Sequence, residues 1–583
     1  QGDGKIVTAG HTDNTIVLTR HRADGTLDPT FAGDGIFTAN MPIGGAVTDA
    51  VMQPDGKVVV VGYTDAPADF FIARVRTNGS FDPAFVTAHP TTNFGGTRVD
   101  QAFAVALGQA GTIVVAGRSN TEVAIARYTS NGALDSTFSG DGLARQAFGG
   151  NAEANDVVVQ PDGKVVVGGV AGVGDTANLL LARFDASGTI DSTFGTSGRV
   201  NPASTALQSA SALLLQGTNI VVAGIVDTPR FGLSRFDSTG LIDTTFGTNG
   251  TTRTGVGKFA RANDVVADAT GRLVVVGQSG FSDDFPNVPT FVSVFRYSAA
   301  GEPDASFGCG GRVLTEVLGN GAGTSYNAAV ASSAVTDGND IVVGGFATRF
   351  NQTDFPPSDL LLARYDGDGP TARGYALVRG DGGTSAFGGA PACGSVAGLT
   401  LASPVVATAF DPAGDGNWSA ATDGGVFAFG AARFFGSMGA TPLVAPVVGM
   451  AAAPDGNGYW LVASDGGVFA FGSARFFGSM GGIRLVAPVV GMAAARDGNG
   501  YWFVAGDGGV FSFGSAAFAG STGGLTLAAP VVGIAADPDG AGYWLAARDG
   551  GLFAFSASFF GSTGATPFPA GSTRQTVGIA ATP

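Results

Sequence analysis

The chain repeats itself in two different phrases, and this constrains its fold more than any other feature, because short units recurring at a fixed spacing stack or close on one another instead of building separate cores. The first phrase reads Gln53-Pro-Asp-Gly-Lys-Val-Val-Val. It returns as Asp3-Gly-Lys-Ile-Val, as Gly108-Gln-Ala-Gly-Thr-Ile-Val-Val and as Gln160-Pro-Asp-Gly-Lys-Val-Val-Val, with degenerate copies at Gln216, Asp268 and Asp337. From Gln1 the spacings are 52, 55, 52, 56, 52 and 69 residues. A rigid sub-module, Arg-x4-Gly-x2-Asp-x2-Phe, sits inside each unit, as in Arg20/Gly25/Asp28/Phe31, Arg74/Gly79/Asp82/Phe85, Arg183/Gly188/Asp191/Phe194 and Arg296/Gly301/Asp304/Phe307. The seventh copy starts at Arg364 and breaks after Gly369.

The second phrase begins where the first fails and keeps a 42-residue period. Trp418, Trp460, Trp502 and Trp544 are all four tryptophans of the chain, and Asp381, Asp423, Asp465, Asp507 and Asp549 keep step with them, each followed by Gly-Gly. Ala376 holds the tryptophan position in a degenerate first copy. The boundary between the families falls near 370, giving domains 1–370 and 371–583.

Each 42-residue unit reads as short strands separated by Asp-Gly turns, where Gly and Asx residues accept positive φ. Pro446–Ala453, Gly458–Ala463 and Gly467–Gly472 are three of them, and Arg475–Met480 a weaker fourth. No useful helical period intervenes. Four short strands per ~40–45 residues mark a propeller blade. The expected fold is all-β, with two tandem β-propellers. The second has five blades, its first completed by the spare strand Thr576–Pro583. The first has seven, six being the alternative, and its runs of valine suit strands covered on both faces. The Arg-to-Asp spacing of 8 reads as a hairpin clipped by charge and plugged by Phe, a structural device, since six identical catalytic sites are rarely needed.

The phrases Phe-x-Ile/Leu-Ala-Arg-Tyr/Phe, Leu-Asp-Ser-Thr-Phe-Gly and Gln-Pro-Asp-Gly-Lys-Val-Val-Val-x-Gly resemble the bacterial delta-60 repeat over about residues 1–366. That resemblance implies a propeller in a secreted or surface protein and supplies no catalytic residue. The repeat Gly458-Tyr-Trp-Leu-Val-Ala-Ser-Asp-Gly-Gly-Val-Phe-Ala-Phe-Gly resembles one appended to bacterial extracellular proteins, sometimes beside cell-wall enzymes.

Composition narrows the function classes. With 31 Lys+Arg against 47 Asp+Glu the net charge is −16, which repels phosphate backbones and anionic membrane faces, so nucleic acid is not an expected partner. No apolar run reaches the ~18–20 residues of a spanning helix. Three histidines, His11, His21 and His89, offer little for zinc or a Ser-His-Asp triad, and no Gly-x-Ser-x-Gly elbow or phosphate-binding loop occurs. No cofactor is expected. The Asp-rich loops at Asp366-Gly-Asp-Gly, Asp411/Asp415 and Asp537-Pro-Asp-Gly could hold structural calcium, but lack the EF-hand order and read as ordinary turns.

Two features exceed scaffold, and the cysteines stand beside them. The longest insertions, in adjacent repeats, both contain Asp-Phe-Pro (Asp284, Phe285; Asp354, Phe355), and long loops on a rigid ring are where binding residues sit. The row Trp418, Trp460, Trp502 and Trp544, each with a nearby Asp, could stack and hydrogen-bond sugars, although aromatics at blade period more often form core. Cys309 and Cys393, each in a repeat copy flanking the junction, could form one disulfide. The expectation is a secreted or cell-surface, non-enzymatic scaffold that binds protein or glycan or self-assembles. A lectin-like propeller is the alternative, and a polysaccharide hydrolase or lyase with a funnel site the third reading.

Overall fold

A computed structural model describes residues 1–557 except 13, 42–43, 67, 86–90, 173–177, 228–229, 256–258, 281–289, 309, 316–327, 349–357, 366, 368–373, 379–383, 389–392, 394–395, 397–400, 413–415, 431, 538–541 and 550. The described residues form small antiparallel sheets, seven of them between residues 6 and 365 and five between 374 and 555. No helix among them is long and apolar enough to cross a membrane. The chain divides into two compact units. One is Gln1–Glu302 with Val317–Arg364, and the other is Pro303–Glu316 with Tyr365–Pro583. The break at 364/365 lies close to the boundary read from the repeats, but the grouping of Pro303–Glu316 with the second unit has no signal in the repeat pattern.

In the first unit, sheets two to seven share one plan. An inner strand (Ala46–Met52, Asp100–Leu107, Asn151–Val159, Ala212–Gln216, Phe259–Ala267, Ala328–Asp337) pairs with a valine-rich second strand, such as Val58–Tyr63 or Val165–Gly172. A third strand follows with the repeat arginine as its second-to-last residue, such as Phe70–Val75 or Asn178–Phe184. Consecutive inner strands lie side by side. Val59, Val60, Val61, Val165, Val166 and Val167 are fully buried, as the uninterrupted apolar runs require: both faces of each sheet meet a neighbour. The cores are accordingly shared between sheets. Ile16, Leu18 and Phe31 of the first sheet pack with Val58, Val60 and Phe71 of the second.

The inner strands carry a β-bulge that sequence reading did not find. It falls at Val47/Asp49, Ala102/Ala104, Ala154/Asp156, Ala262/Asp264 and Ala331/Ser333. The close approach of the inner segment's backbone explains the glycine that follows each second-strand apolar run. A Cβ at Gly169 would collide with the carbonyl oxygen of Glu153, and the same holds at Gly62 against Ala46, Gly117 against Gln101, Gly224 against Ser209, Gly277 against Arg261 and Gly345 against Val330. Backbone is not displaced cheaply. Gly169→Ala is therefore expected to cost roughly 1–3 kcal/mol through overpacking, read as a lowered unfolding midpoint. An unchanged midpoint would contradict this account of the glycine.

The second unit repeats a three-stranded sheet, as in Val447–Ala452, Gly458–Ala463 and Val468–Gly472 or Val489–Ala494, Gly500–Ala505 and Val510–Gly514. These match the strands expected from sequence. The fourth does not: Arg475–Met480 forms no strand. Its backbone is held instead by a tyrosine, since Phe477 N donates to Tyr501 Oη and Tyr501 Oη donates to the Gly478 carbonyl. Strand pairing would need those groups for a neighbouring strand. The closing segment 576–583 lies outside the described residues.

Candidate functional site

The repeat arginine is a latch between sheets. Arg183, 4% exposed, donates from Nε to Asp191 at 2.9 Å, and its guanidinium lies 4.6 Å above the Phe194 ring. Its Nη1 donates to the Ser238 carbonyl in the turn of the next repeat. Arg74 does the same with Asp82, Phe85 and the Ser130 carbonyl, and Arg127 with Asp135, Phe138 and the Ala186 carbonyl. The glycine of the sub-module also faces the neighbour. Gly188, at φ +87°, lies against the Phe138 ring of the preceding repeat, and Gly132 against Phe85. Arg-x4-Gly-x2-Asp-x2-Phe thus encodes both halves of a junction. The seventh arginine, where the motif breaks, pairs elsewhere: Arg364 reaches Asp337 at 3.1 Å and Asp340 at 3.0 Å.

A second set of junctions, on the inner strands, uses residues that sequence reading passed over. Asp49 accepts from Val105 N, Asp156 from Leu213 N and Asp264 from Ala334 N, each across to the following sheet, while each also accepts from the amide next along its own strand. The residue before each carboxylate donates to a backbone carbonyl of that following sheet's inner segment: Thr48 to Ala102, Asn155 to Ala210 and Asn263 to Ala331. Sheets two, four and six therefore clamp sheets three, five and seven. The negative charge of Asp264 bears on both Asp49 and Asp156, and that of Asp49 on Asp156. Three non-adjacent sheets thus bring their carboxylates within electrostatic reach of one another.

These carboxylates keep partial solvent contact, yet are enclosed closely enough for desolvation to dominate. Burial raises Asp49 to about 7 and raises Asp156 and Asp264 as well, against the opposing pull of the backbone amides. The outer latch behaves oppositely. Although burial works against it, hydrogen bonds from Thr193 and the Arg183 guanidinium lower Asp191 to about 2. A carboxylate raised in the fold contributes stability that is complete below its unfolded value and is lost as pH rises through its folded value; a lowered one contributes above its unfolded value and loses it as pH falls. The first unit should therefore melt at a higher temperature near pH 5 than at pH 8, and lose stability again below about pH 4. Calorimetry at the three pH values checks this. A melting temperature that rises from pH 5 to pH 8 would contradict it.

The tryptophan row is core. Trp418 and Trp460 are fully buried, Trp502 is 4% and Trp544 8% exposed. The indole N–H groups of Trp418, Trp460 and Trp502 donate to the carbonyls of Arg433, Arg475 and Ala517. Trp418 packs on Tyr459 of the next repeat at 5.5 Å, Trp460 on Tyr501 at 5.7 Å and Trp502 on Tyr543 at 5.5 Å. The sugar-stacking role expected of Trp418, Trp460, Trp502 and Trp544 is corrected accordingly, because all four rings are buried and so offer no face to a sugar. The accompanying carboxylates cap turns, with Asp465 accepting from Gly467 N and Asp507 from Gly509 N.

What the second unit does expose is apolar and periodic. Phe434, Phe476 and Phe518, 42 residues apart, are 59%, 61% and 61% exposed, and Val444 and Val486 are almost wholly exposed. Sequence reading missed them because Phe434-Phe435 and Phe476-Phe477 looked like strand; only the second of each pair packs inward, beside Tyr459 and Tyr501.

The loop residues Asp284, Phe285, Asp354 and Phe355 lie outside the described residues, as does Cys309. Cys393 is disulfide-bonded, and no free cysteine occurs among the described residues. Of the calcium candidates, Asp366 and Asp415 also lie outside them; among the described residues no group of three or more His, Cys, Asp or Glu side chains is arranged to hold a metal ion.

A family described as a domain of unknown function (DUF5122) beta-propeller matches residues 1–31, 53–85, 111–138 and 160–194. Each matched segment carries one second strand and one Arg–Asp–Phe latch. The four matched repeats, within residues 1–194, are thus those of a β-propeller repeat, consistent with the delta-60 resemblance. No curated protein matches the chain.

Proposed function

We propose that this chain, whose first four repeats are those of a β-propeller family, is a secreted, non-enzymatic scaffold built as a seven-bladed propeller followed by a five-bladed one, acting at the cell surface by self-assembly or by binding protein. Propeller repeats make a rigid, short-edged frame suited to binding. What supports this reading is how the recurring polar and aromatic side chains are used. The Arg–Asp–Phe sets and the Trp–Tyr pairs are consumed in junctions between sheets, so neither row is left to act on a substrate.

The observation that carries the binding role is the row Phe434, Phe476 and Phe518. Isolated exposed apolar residues are ordinary, but a large aromatic at the same place in three successive repeats is a multivalent surface, and exposed apolar area of that kind marks interaction sites. Net charge of −16 disfavours contact between copies at long range, so apolar contact is what would hold them.

Sedimentation velocity over a concentration series tests this. Association that grows with concentration, and is lost in the triple variant Phe434→Ser, Phe476→Ser and Phe518→Ser, is the expected result. A monomer at every concentration, together with glycan-array binding that the same substitutions abolish, would move the function to the lectin-like alternative.

A further inference from the structure

From its second sheet onward, the second unit joins each sheet to the next with one set of rings. Trp418 packs on Tyr459, Trp460 on Tyr501 and Trp502 on Tyr543, with Leu461, Phe503 and Leu545 buried beside them. The tyrosine also ties down the segment after the preceding sheet's third strand. Tyr459 Oη accepts from Phe435 N and donates to the Gly436 carbonyl, and the Phe435 ring packs on Tyr459 at 5.8 Å.

The junction between the first and second sheets has the same backbone plan with different side chains. Gly374–Val378 pairs with Thr384–Gly388 in the register of Gly458–Ala463 with Val468–Gly472. It lies against Val405–Phe410 as Gly458–Ala463 lies against Val489–Ala494. Yet Ala376 stands at the tryptophan position, Asn417 at that of Tyr459, Ser419 at that of Leu461 and Cys393 at that of Phe435.

Two observations show what this exchange costs and what replaces the rings. Asn417 and Ser419 are each 1% exposed, and neither the amide oxygen and nitrogen of Asn417 nor the hydroxyl of Ser419 has a hydrogen-bond partner among the described residues. Two positions apart in Gly416–Ala421, they share one face of the strand. Buried polar groups without partners favour any opening that lets water reach them. Cys393, by contrast, is 3% exposed and disulfide-bonded. The chain's only other cysteine is Cys309, in the stretch Pro303–Glu316 that groups with the second unit. A covalent bond stands where the later junction has a phenylalanine ring.

We propose that the junction between the first and second sheets of the second unit is a redox-sensitive seam, closed while the Cys309–Cys393 disulfide is intact and opened to water at Asn417 and Ser419 when a dithiol reductant cleaves that bond. The reductant's thiolate attacks one sulfur, the protein S–S bond breaks as a mixed disulfide forms, and the reductant's second thiol displaces the remaining protein sulfur. Two electrons and two protons pass to the protein, giving two cysteine thiols, and the reductant leaves as its own disulfide. The later junctions depend on packing alone, so the response is confined to one seam. It is independent of the scaffold role and of the exposed phenylalanine row.

The test compares hydrogen exchange in the full chain, oxidised and after treatment with dithiothreitol. Exchange at 374–388 and 405–421 should quicken by about tenfold or more on reduction, the factor that losing ~1.4 kcal/mol against local opening gives, while 447–463 and 489–505 stay as slow as before. Cys393→Ser should exchange as the reduced parent does, with or without dithiothreitol. Ala376→Trp combined with Asn417→Tyr and Ser419→Leu rebuilds the ring set, and should slow exchange at the reduced seam toward that of the later junctions. Two free thiols in the unfolded, unreduced protein, equal exchange in the two redox states, or a quickening spread evenly over all five sheets would each overturn the proposal.

Discussion

Replacing Trp460 with alanine should unfold the second unit at temperatures where the first remains folded, and should do so with no ligand involved. The side chain is fully buried, among Val462, Val489, Tyr501 and Phe503 of its own and the next sheet, and truncating a buried tryptophan costs roughly 3–5 kcal/mol. Two further losses follow from the geometry. The Arg475 carbonyl loses the indole N–H that serves it, and Tyr501 loses the ring at 5.7 Å against which it packs. Tyr501 in turn holds Phe477 and Gly478, so the damage reaches across a sheet boundary. Calorimetry should show the transition of the second unit shifted down and that of the first unchanged. A Trp460→Ala protein with both transitions in place would contradict the account of the tryptophan row. Trp460→Phe, which keeps a buried ring, should recover part of the loss.

Arg183→Ala should have the corresponding effect on the first unit. Removing the guanidinium leaves Asp191, 9% exposed, with Lys164 at 3.4 Å as its remaining cation, deprives the Ser238 carbonyl of its donor and uncovers Phe194. Breaking a buried pair from one side costs up to about 3–5 kcal/mol, less here because Lys164 stays beside the carboxylate, whereas replacing both charges by apolar groups of similar volume is often neutral. The double variant Arg183→Met with Asp191→Leu should therefore be more stable than Arg183→Ala alone. Denaturant midpoints for the two proteins check this; equal or reversed midpoints would show that the cost lies in the lost latch to Ser238 and not in the stranded charge. Arg127→Ala should cost less, since Arg127 and Asp135 are both more exposed, at 12% and 13%.

The fold was legible where one repeat suffices to read it. Arg, Gly, Asp and Phe recur at fixed offsets in each copy because each is half of a junction, and the structure puts them at the junctions. The second-strand valines were equally plain, since burial on both faces leaves no alternation to mislead. What escaped was carried by alternate repeats or by pairs of residues. Asp49, Asp156 and Asp264 occur in every second sheet, so alignment copy by copy dilutes them against Ala104 and Ala212. A period twice as long would have shown them. The bulge leaves no residue of its own type, only the glycine opposite. In the second unit the period was read correctly but its chemistry was not: Trp460 and Phe476 are both aromatic at 42-residue spacing, and sequence alone does not tell the ring that faces the next sheet from the ring that faces water. Tyr459 could have indicated it, since a tyrosine beside each later tryptophan supplies a ring for the indole of the preceding repeat.

The central claim is that recurring side chains split into two kinds, those that join sheets and those left exposed to bind. It is tested most directly by measuring stability and association together on Phe434→Ser, Phe476→Ser and Phe518→Ser combined. The account predicts an unfolding midpoint within about 0.5 kcal/mol per site of the parent, as surface substitutions give, and loss of the concentration-dependent association that the parent is expected to show in sedimentation. A triple variant that unfolds like Trp460→Ala, or that associates as the parent does, would contradict it.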